Sequence, residues 1–179
     1  MISPKALKIG AKEIAPSLTR MFNACIDKGT WPSNWKKAEW SPIFKKGDPL
    51  YDENYRPITI QPIFNKVFEE ILNKQLYHAI NDTLSEHLTA YRKRNSCETA
   101  LIKLTEHWRT ALDSRQLIGL LSTDMSKAFD LLHHPLLLAK LKSYGLDIHS
   151  LELMHSYFNG RYNRVKLGND TTSSWKPTC

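Results

Sequence analysis

The stretch LLSTDMSKAFD, residues 120–130, ends an apolar run at a carboxylate, Asp124, and a second acid, Asp130, follows it. The residues just before it, QLIGLL at 116–121, show little alternation, which is typical of a strand covered on both faces. Because ligands of open α/β sheets collect at the carboxyl ends of such strands, we expect Asp124 at the edge of a cleft. On this segment alone, Asp124 could equally cap a helix that starts near Ser126.

The length and the net charge limit the classes of protein to which this chain can belong. A chain of 179 residues can bury the core of one domain, and 25 Lys and Arg against 18 Asp and Glu give a formal charge of +7, which favours polyanionic partners. The sequence has neither an apolar run that spans a membrane nor the apolar stretch of a signal peptide. We therefore predict an intracellular protein of the nucleus or cytoplasm, without a membrane partner. Three widely spaced cysteines argue against a disulfide framework and a zinc site.

Lysines and aromatic residues are interleaved between residues 31 and 55. Lysines there suit phosphate contacts and aromatic rings suit base stacking, so the pattern indicates nucleic-acid binding. The alternative is a solvated basic face with the tryptophans in the core.

Hydrophobic periodicity predicts both helices and strands. The predicted helices cover residues 4–28, ended by Gly29, and residues 63–80, 96–112, 135–144 and 148–158. The predicted strands cover residues 38–44 and 56–60, joined as a hairpin with a basic tip, and residues 116–121, 161–167 and 173–175. Prolines in both hairpin strands, Pro42 and Pro57, predict that these strands lie at a sheet edge.

Three segments occur in a fixed order: PSNWKKAEWSPIFKKGDPLYDENYRPITI at 32–60, LTAYRKRNSCETAL at 88–101 and GLLSTDMSKAFDLLHHPLLLAKLKSYGL at 119–146. Together they resemble the reverse transcriptase domain of non-LTR (LINE-type) retrotransposons, nearest to jockey and CR1-like elements. The resemblance implies an α+β fold, the fingers and partial palm of a right-hand polymerase. Residues 1–115 would form the fingers region, with the hairpin at about 38–60, and residues 116–179 the first, incomplete part of the palm.

The resemblance implies a metal site at the opening motif. Asp124 matches the catalytic aspartate of the first palm motif, which bridges two Mg²⁺ ions during in-line phosphoryl transfer. The main-chain carbonyl of Met125 is the second expected ligand, since Mg²⁺ prefers oxygen donors. The adjacent His133 and His134 are expected to cap or pack a helix rather than to bind metal.

Four further residues match positions that contact the incoming dNTP in the family. Phe129 would lie beneath the sugar and exclude a 2′-hydroxyl, the alternative being an ordinary core phenylalanine. Lys45, Lys46 and Arg56 match the basic residues of the fingers hairpin that close over the triphosphate. The alternative for the two lysines is that they are solvated charges.

The basic run Arg92, Lys93 and Arg94 would contact the template backbone, so the implied partners are an RNA template and a DNA primer. The same segment departs from the family pattern at Thr89 and Tyr91, where the family more often has Q-x-G-F-R. That departure leaves the detail of template contact open.

The family continues, after the region matched by this chain, into a Gly-x-Pro-Gln-Gly box and a Y/F-x-D-D motif, neither of which this sequence contains. We therefore expect a fragment of an RNA-directed DNA polymerase, truncated before the second catalytic motif of the palm, that extends no primer by itself. The alternative is a non-catalytic nucleic-acid-binding remnant of such an element.

Overall fold

The structure is a computed structural model that describes residues 3–125, 128, 131–168, 170, 171 and 173–178. The chain forms two compact units, Met1–His78 with Leu132–Cys179, and Ala79–Leu131. The proposed division into fingers and palm near residue 115 stays a prediction.

Six α-helices lie in the described part of the chain: α1 Pro4–Ile9, α2 Ala11–Asp27, α3 Ile63–Ile80, α4 Cys97–Asp113, α5 His134–Ser143 and α6 Ile148–Phe158. The prediction of helices is confirmed, with α3 and α6 at the predicted residues. The first predicted helix is divided, because Gly10 leaves the helical conformation (ψ 19°) and its N–H closes α1 onto Ala6. Gly29 ends α2 as predicted, with a φ of 57° that favours glycine.

The described strands are β1 Lys37–Phe44, β2 Tyr55–Ile60, β3 Arg161–Leu167, β4 Asp170–Thr171 and β5 Lys176–Thr178. They form a sheet in the order β2-β1-β3-β4, and β5 pairs with β3. The predicted hairpin is confirmed, since β1 and β2 pair antiparallel from Glu39↔Ile60 to Phe44↔Tyr55.

The prediction that both hairpin strands lie at an edge is right for β2 and wrong for β1. Residues Lys37–Trp40 of β1 also pair in parallel with β3, so this half of β1 lies between two neighbours. Pro42 lies beyond the last residue that pairs with β3, opposite Pro57. Its missing N–H therefore costs no hydrogen bond to β3.

The predicted strand over residues 116–121 is wrong. Residues 116–125 contain no helix or strand, and the side chains of Leu117 and Leu121 are 102% and 88% exposed. An apolar run becomes a strand only where a neighbour supplies backbone hydrogen bonds, and the described residues of the second unit contain no strand. The predicted strand over 173–175 is also wrong, because the hydroxyl of Ser173 accepts from the N–H of Val165 (2.9 Å) and β5 begins at Lys176.

The core of the first unit is aromatic. Phe22, Trp31, Trp35, Phe68 and Leu153 are buried together. The Phe68 ring lies 4.8 Å from Phe22 and 4.7 Å from Trp31, between centroids. For Trp31 and Trp35 the interpretation as core residues is therefore correct.

One polar side chain, Asn65 on α3, is fully buried beside this cluster. Its Oδ1 accepts from the indole N–H of Trp31 (2.8 Å), and its Nδ2 donates to Oε1 of Glu69 (3.0 Å). The hydroxyl of Tyr157 on α6 donates to the same oxygen of Glu69 (2.9 Å), and burial together with the charge of Glu69 raises the pKa of Tyr157 to about 12. The network ties α3 to α6 and to the turn that carries Trp31.

Replacing Asn65 by Ala should destabilise the first unit, because the indole N–H of Trp31 would be buried without an acceptor. We expect the free energy of unfolding to fall by about 1–3 kcal/mol, measured by urea denaturation. Asn73→Ala is the matched control, since Asn73 is exposed on the same helix. Equal losses in the two variants would contradict the role of the buried amide.

Candidate functional site

Asp124 and Met125 follow each other in an exposed segment without regular structure. The side chain of Met125 is 69% exposed, and that of Asp124 is exposed as well. Asp124 therefore does not end a buried strand, contrary to the expectation from its sequence context. Phe129 lies outside the described residues, as does Ser126, at which the alternative helix would start.

The oxygen donors at this position are of the kind that Mg²⁺ prefers, a carboxylate and a main-chain carbonyl. Among the described residues, no three side chains of His, Cys, Asp or Glu are grouped as a metal site. The carboxylate of Asp124 and the carbonyl of Met125 thus fit a divalent ion in the chemistry of their donor atoms.

The tip of the β1–β2 hairpin is an ordered loop. The N–H of Lys45 donates to the carbonyl of Asn54 (2.8 Å), and the Asn54 amide donates to the carbonyl of Asp48 (2.7 Å). The Asp48 carboxylate accepts from the N–H of Leu50 (2.9 Å). Gly47 has a φ of 94°, and a Cβ there would lie 2.8 Å from Nδ2 of Asn54. These bonds brace the loop, and the left-handed φ together with the close contact to Asn54 favours glycine at this position.

The hairpin brings Lys45, Lys46 and Arg56 to the same end of its two strands. Arg56 pairs with Ile43 at the start of β2, Lys45 follows β1 directly, and all three cationic side chains are exposed. The prediction of a basic tip needs correction, because the loop between the strands also carries three acids: Asp48, Asp52 and Glu53. Positive charge therefore lies at the strand ends, whereas residues 48–53, which we call the outer loop, carry negative charge.

Arg92 makes contacts within the second unit. Its guanidinium donates to the carbonyl of Ser85 (2.9 Å) and to the carbonyl and side-chain oxygens of Asn81 (3.2 and 3.0 Å). These bonds fasten the loop that leads into α4. Lys93 and Arg94 are exposed, and Arg94 adopts a left-handed φ of 63°. The role of this run on a template stays a prediction.

The two histidines have the structural roles that the sequence suggests. Nδ1 of His133 accepts from the N–H of Leu136 (3.3 Å) and so caps α5. The ring of His134 stacks on Phe158 of α6 at 4.8 Å between centroids. Capping and packing are thereby confirmed.

A further cluster on the sheet was missed by sequence reasoning. Glu39 on β1 accepts hydrogen bonds from Arg164 on β3, including one from Nε at 3.0 Å, and its other oxygen lies 3.6 Å from the ammonium of Lys166. The Arg164 hydrogen bond, with the nearby Lys166, holds the pKa of Glu39 below its ordinary value. Because 125 residues separate Glu39 from Arg164, only the parallel pairing of β1 with β3 reveals the cluster.

The reverse transcriptase (RNA-dependent DNA polymerase) family matches residues 43–177. The chain is also 29% identical to the probable RNA-directed DNA polymerases from transposons X-element and BS of Drosophila melanogaster, over 93% and 85% of its length. It is 29% identical to the RNA-directed DNA polymerase from mobile element jockey of Drosophila funebris, over 80% of its length. These alignments cover 19%, 17% and 16% of the respective relatives.

Since the family match covers more than half of the chain, this protein belongs to the reverse transcriptase (RNA-dependent DNA polymerase) family. The resemblance to the domain of non-LTR retrotransposons is confirmed by the relatives. The mixture of helices with a small sheet agrees with the predicted α+β class. The chain spans less than a fifth of the length of these relatives. In the part of the chain that the structure describes, none of the helices has the length and apolar character needed to cross a membrane.

Replacing Glu39 by Gln should change how stability depends on pH. Because the folded-state pKa of Glu39 lies below its ordinary value of 4.5, the ionised carboxylate stabilises the fold above that pH. This contribution is lost as the pH falls through the folded-state pKa. We therefore expect Glu39→Gln to be less stable than the unaltered chain at pH 7, and the difference to shrink below pH 4.5.

Chemical denaturation at a series of pH values measures this difference. Glu13→Gln serves as the control, since Glu13 is exposed on α2. A deficit in Glu39→Gln that stays constant between pH 7 and the acid range would contradict the ionic role of Glu39.

Proposed function

We propose that this chain is part of an RNA-directed DNA polymerase of a non-LTR retrotransposon, which adds dNTPs to a DNA primer on an RNA template. The observation that carries the proposal is the family match over residues 43–177, which includes the hairpin from Ile43 onwards and the segment of Asp124. The names of the relatives, RNA-directed DNA polymerases of mobile elements, support the same activity.

Asp124 and the main-chain carbonyl of Met125 are the proposed holders of a catalytic divalent ion, Mg²⁺, together with further oxygen ligands. When bound, the ion activates the primer 3′-hydroxyl and neutralises charge on the triphosphate. The exposure of Asp124 supports this role, because a ligand carboxylate must be reachable by the hydrated ion and the nucleotide. Phe129 is the proposed selector of deoxyribose over ribose, by contact with the sugar.

The end of the hairpin that carries Lys45, Lys46 and Arg56 is the proposed triphosphate clamp. Arg56 presents a planar fork that can bond two phosphate oxygens at once, and the ammonium groups of Lys45 and Lys46 act as point charges. The ordered loop supports this role, because its hydrogen bonds brace the backbone between the two strand ends at which the three cations lie. The acids of the outer loop would repel a triphosphate, so phosphate contact belongs to the strand ends.

The template and primer are the proposed macromolecular partners. Arg94, together with Lys93, is the proposed contact for the template backbone in the second unit, with both side chains exposed. Arg92 is proposed to act there chiefly by holding the loop through its bonds to Asn81 and Ser85.

Arg56→Ala should weaken binding of a dNTP to the purified chain. A hydrogen-bonded charge pair on phosphate contributes enough that its loss should raise the Kd by about tenfold or more. Titration with a fluorescent dNTP in the presence of Mg²⁺ measures the change. Arg20→Ala, which removes an exposed arginine of α2, should leave the Kd unaltered. The clamp assignment fails if both variants bind as the unaltered chain does.

Asp124→Asn should abolish nucleotide addition without loss of primer–template binding. The test replaces the matched segment of the X-element relative by these 179 residues and measures extension of a DNA primer on RNA. We expect Mg²⁺-dependent extension, reduced to background by Asp124→Asn and retained in Asp113→Asn, whose carboxylate is exposed at the end of α4. A chimaera that binds primer–template yet extends no primer would contradict the proposed activity.

A further inference from the structure

A cleft of about 630 Å³ runs along α6 in the first unit. Residues 28–30 and Lys36, from the connection between α2 and β1, line one side of it, and Leu138 of α5 lines another. We infer that this cleft binds a small organic phosphate, that is, a phosphate monoester carried on an apolar group. None of the cleft residues belongs to the proposed triphosphate clamp or to the site of Asp124.

The lining combines an apolar wall with a few polar groups. Ile148 and Leu151 of α6 join Leu138 of α5 in the apolar wall, and Ser156 lies further along α6 beside Lys36. Sites for small molecules have this composition, and their volumes are of this order. The cleft can therefore hold the apolar body of a ligand and its charged group at the same time.

Lys36 is a cation of the cleft that lacks a counter-charge. Its half-buried ammonium donates to Oγ of Ser156 (3.3 Å), a neutral group, and it forms no ion pair with a carboxylate of the described residues. Burial, followed by the charge of Arg161, lowers the pKa of Lys36. This is the expected effect on an ammonium that is withdrawn from water without an anion beside it. A bound anion would supply the missing charge.

The cations around the cleft suit a dianion. Besides Lys36, they comprise Lys28 on the lining and Arg161, whose charge acts on Lys36. Arg161 also forms no ion pair within the described part of the chain: its guanidinium donates to the carbonyl of Tyr157 (3.2 Å) and lies 4.6 Å from the centroid of that ring. A phosphate monoester carries a charge of about −1.5 to −2 at pH 7, whereas a carboxylate carries a single charge. The excess of positive charge thus favours the phosphate.

The hydroxyl of Ser156 has a hydrogen left to donate. Its oxygen accepts from the backbone N–H of Trp31 (2.9 Å) and from the ammonium of Lys36. Hydroxyls on helices often donate to the carbonyl four residues earlier, as those of Thr19 and Thr110 do, but Ser156 makes no such bond with the described residues. An oxygen of a ligand in the cleft would be its acceptor. The neighbouring ammonium and hydroxyl can then bond two oxygens of one phosphate.

The wall opposite α6 is held in place by the core. Trp31 is 2% exposed and Trp35 is 8% exposed, and these buried rings anchor the connection between α2 and β1. Gly29 lies so close to α6 that a Cβ there would be 3.0 Å from Cβ of Glu152. Donors that are ordered in advance lose less conformational entropy when a ligand binds.

The first experiment measures which anion the 179-residue chain prefers. An NMR titration of the isotope-labelled chain with phenyl phosphate, inorganic phosphate and benzoate gives a Kd for each and shows which backbone amides shift. We expect phenyl phosphate to bind most tightly and to shift the amides of residues 29–31 and of Ser156. Burial of about 60 Å² of the phenyl ring should make its Kd about tenfold lower than that of inorganic phosphate.

The second experiment compares variants with opposite expected effects. Lys36→Gln should raise the Kd of phenyl phosphate by about tenfold or more, because it removes a charged hydrogen-bond donor. Lys12→Gln, which removes an exposed lysine of α2, is the matched control and should leave the Kd unaltered. Glu152→Gln should lower the Kd by about twofold, because Glu152 is the one carboxylate on the described lining. The only ion pair of Glu152 in the described part of the chain is with His149 at 3.9 Å, between exposed side chains.

Circular dichroism checks the fold of each variant. Lys36→Met, which retains the apolar stem of the lysine, replaces Lys36→Gln if the latter loses its fold.

The proposal is overturned if the Lys36 variant binds phenyl phosphate as the unaltered chain does, or if Lys12→Gln loses as much affinity. It is also overturned if Glu152→Gln weakens binding, or if benzoate binds as tightly as phenyl phosphate. Displacement of phenyl phosphate by a single-stranded decamer that lacks terminal phosphates would assign the cleft to nucleic acid instead. These titrations contain neither primer nor Mg²⁺, so a failed primer-extension assay leaves their result intact.

Discussion

The pairing of β1 with two different neighbours is the constraint on which the first unit depends. Its first half, Lys37–Trp40, lies between β2 and β3, and its second half pairs with β2 alone. The first half thus lies inside the sheet, and the second half forms with β2 the end of the hairpin near Lys45 and Arg56. Because the pairing with β3 is parallel, it also joins residues that are far apart in the sequence, and the cluster of Glu39 with Arg164 follows from it.

The helices α2, α3 and α6 pack on one another through a core that is both aromatic and polar. Phe68 contacts three aromatic side chains of the cluster, while Asn65 on the same helix satisfies the indole N–H of Trp31. Aromatic packing alone is non-directional, but the bonds through Asn65 and Glu69 specify which groups meet.

Periodicity was sufficient wherever the local pattern and the tertiary environment agreed. The sequence predicted three such features: the apolar stripe of α3, the cap of His133 and the hairpin of β1 and β2. Each of them depends on residues that are close in sequence. Residues 116–121 show the opposite case. Their apolar character suits a strand, but the described residues of their own unit provide no strand partner. The motif of Asp124 was recognisable all the same, since recognition rests on residue order rather than on strand formation.

The amino-acid sequence by itself determined the family, the helices, the hairpin and the identity of the candidate site residues. Tertiary structure alone decided that β1 lies inside the sheet and that Arg92 fastens its own loop. It also decided that Glu39 and Arg164 meet across β1 and β3. The physical reason is that helices, caps and turns depend on neighbours in the chain, whereas strand order and the contacts of a guanidinium depend on which distant backbone lies alongside.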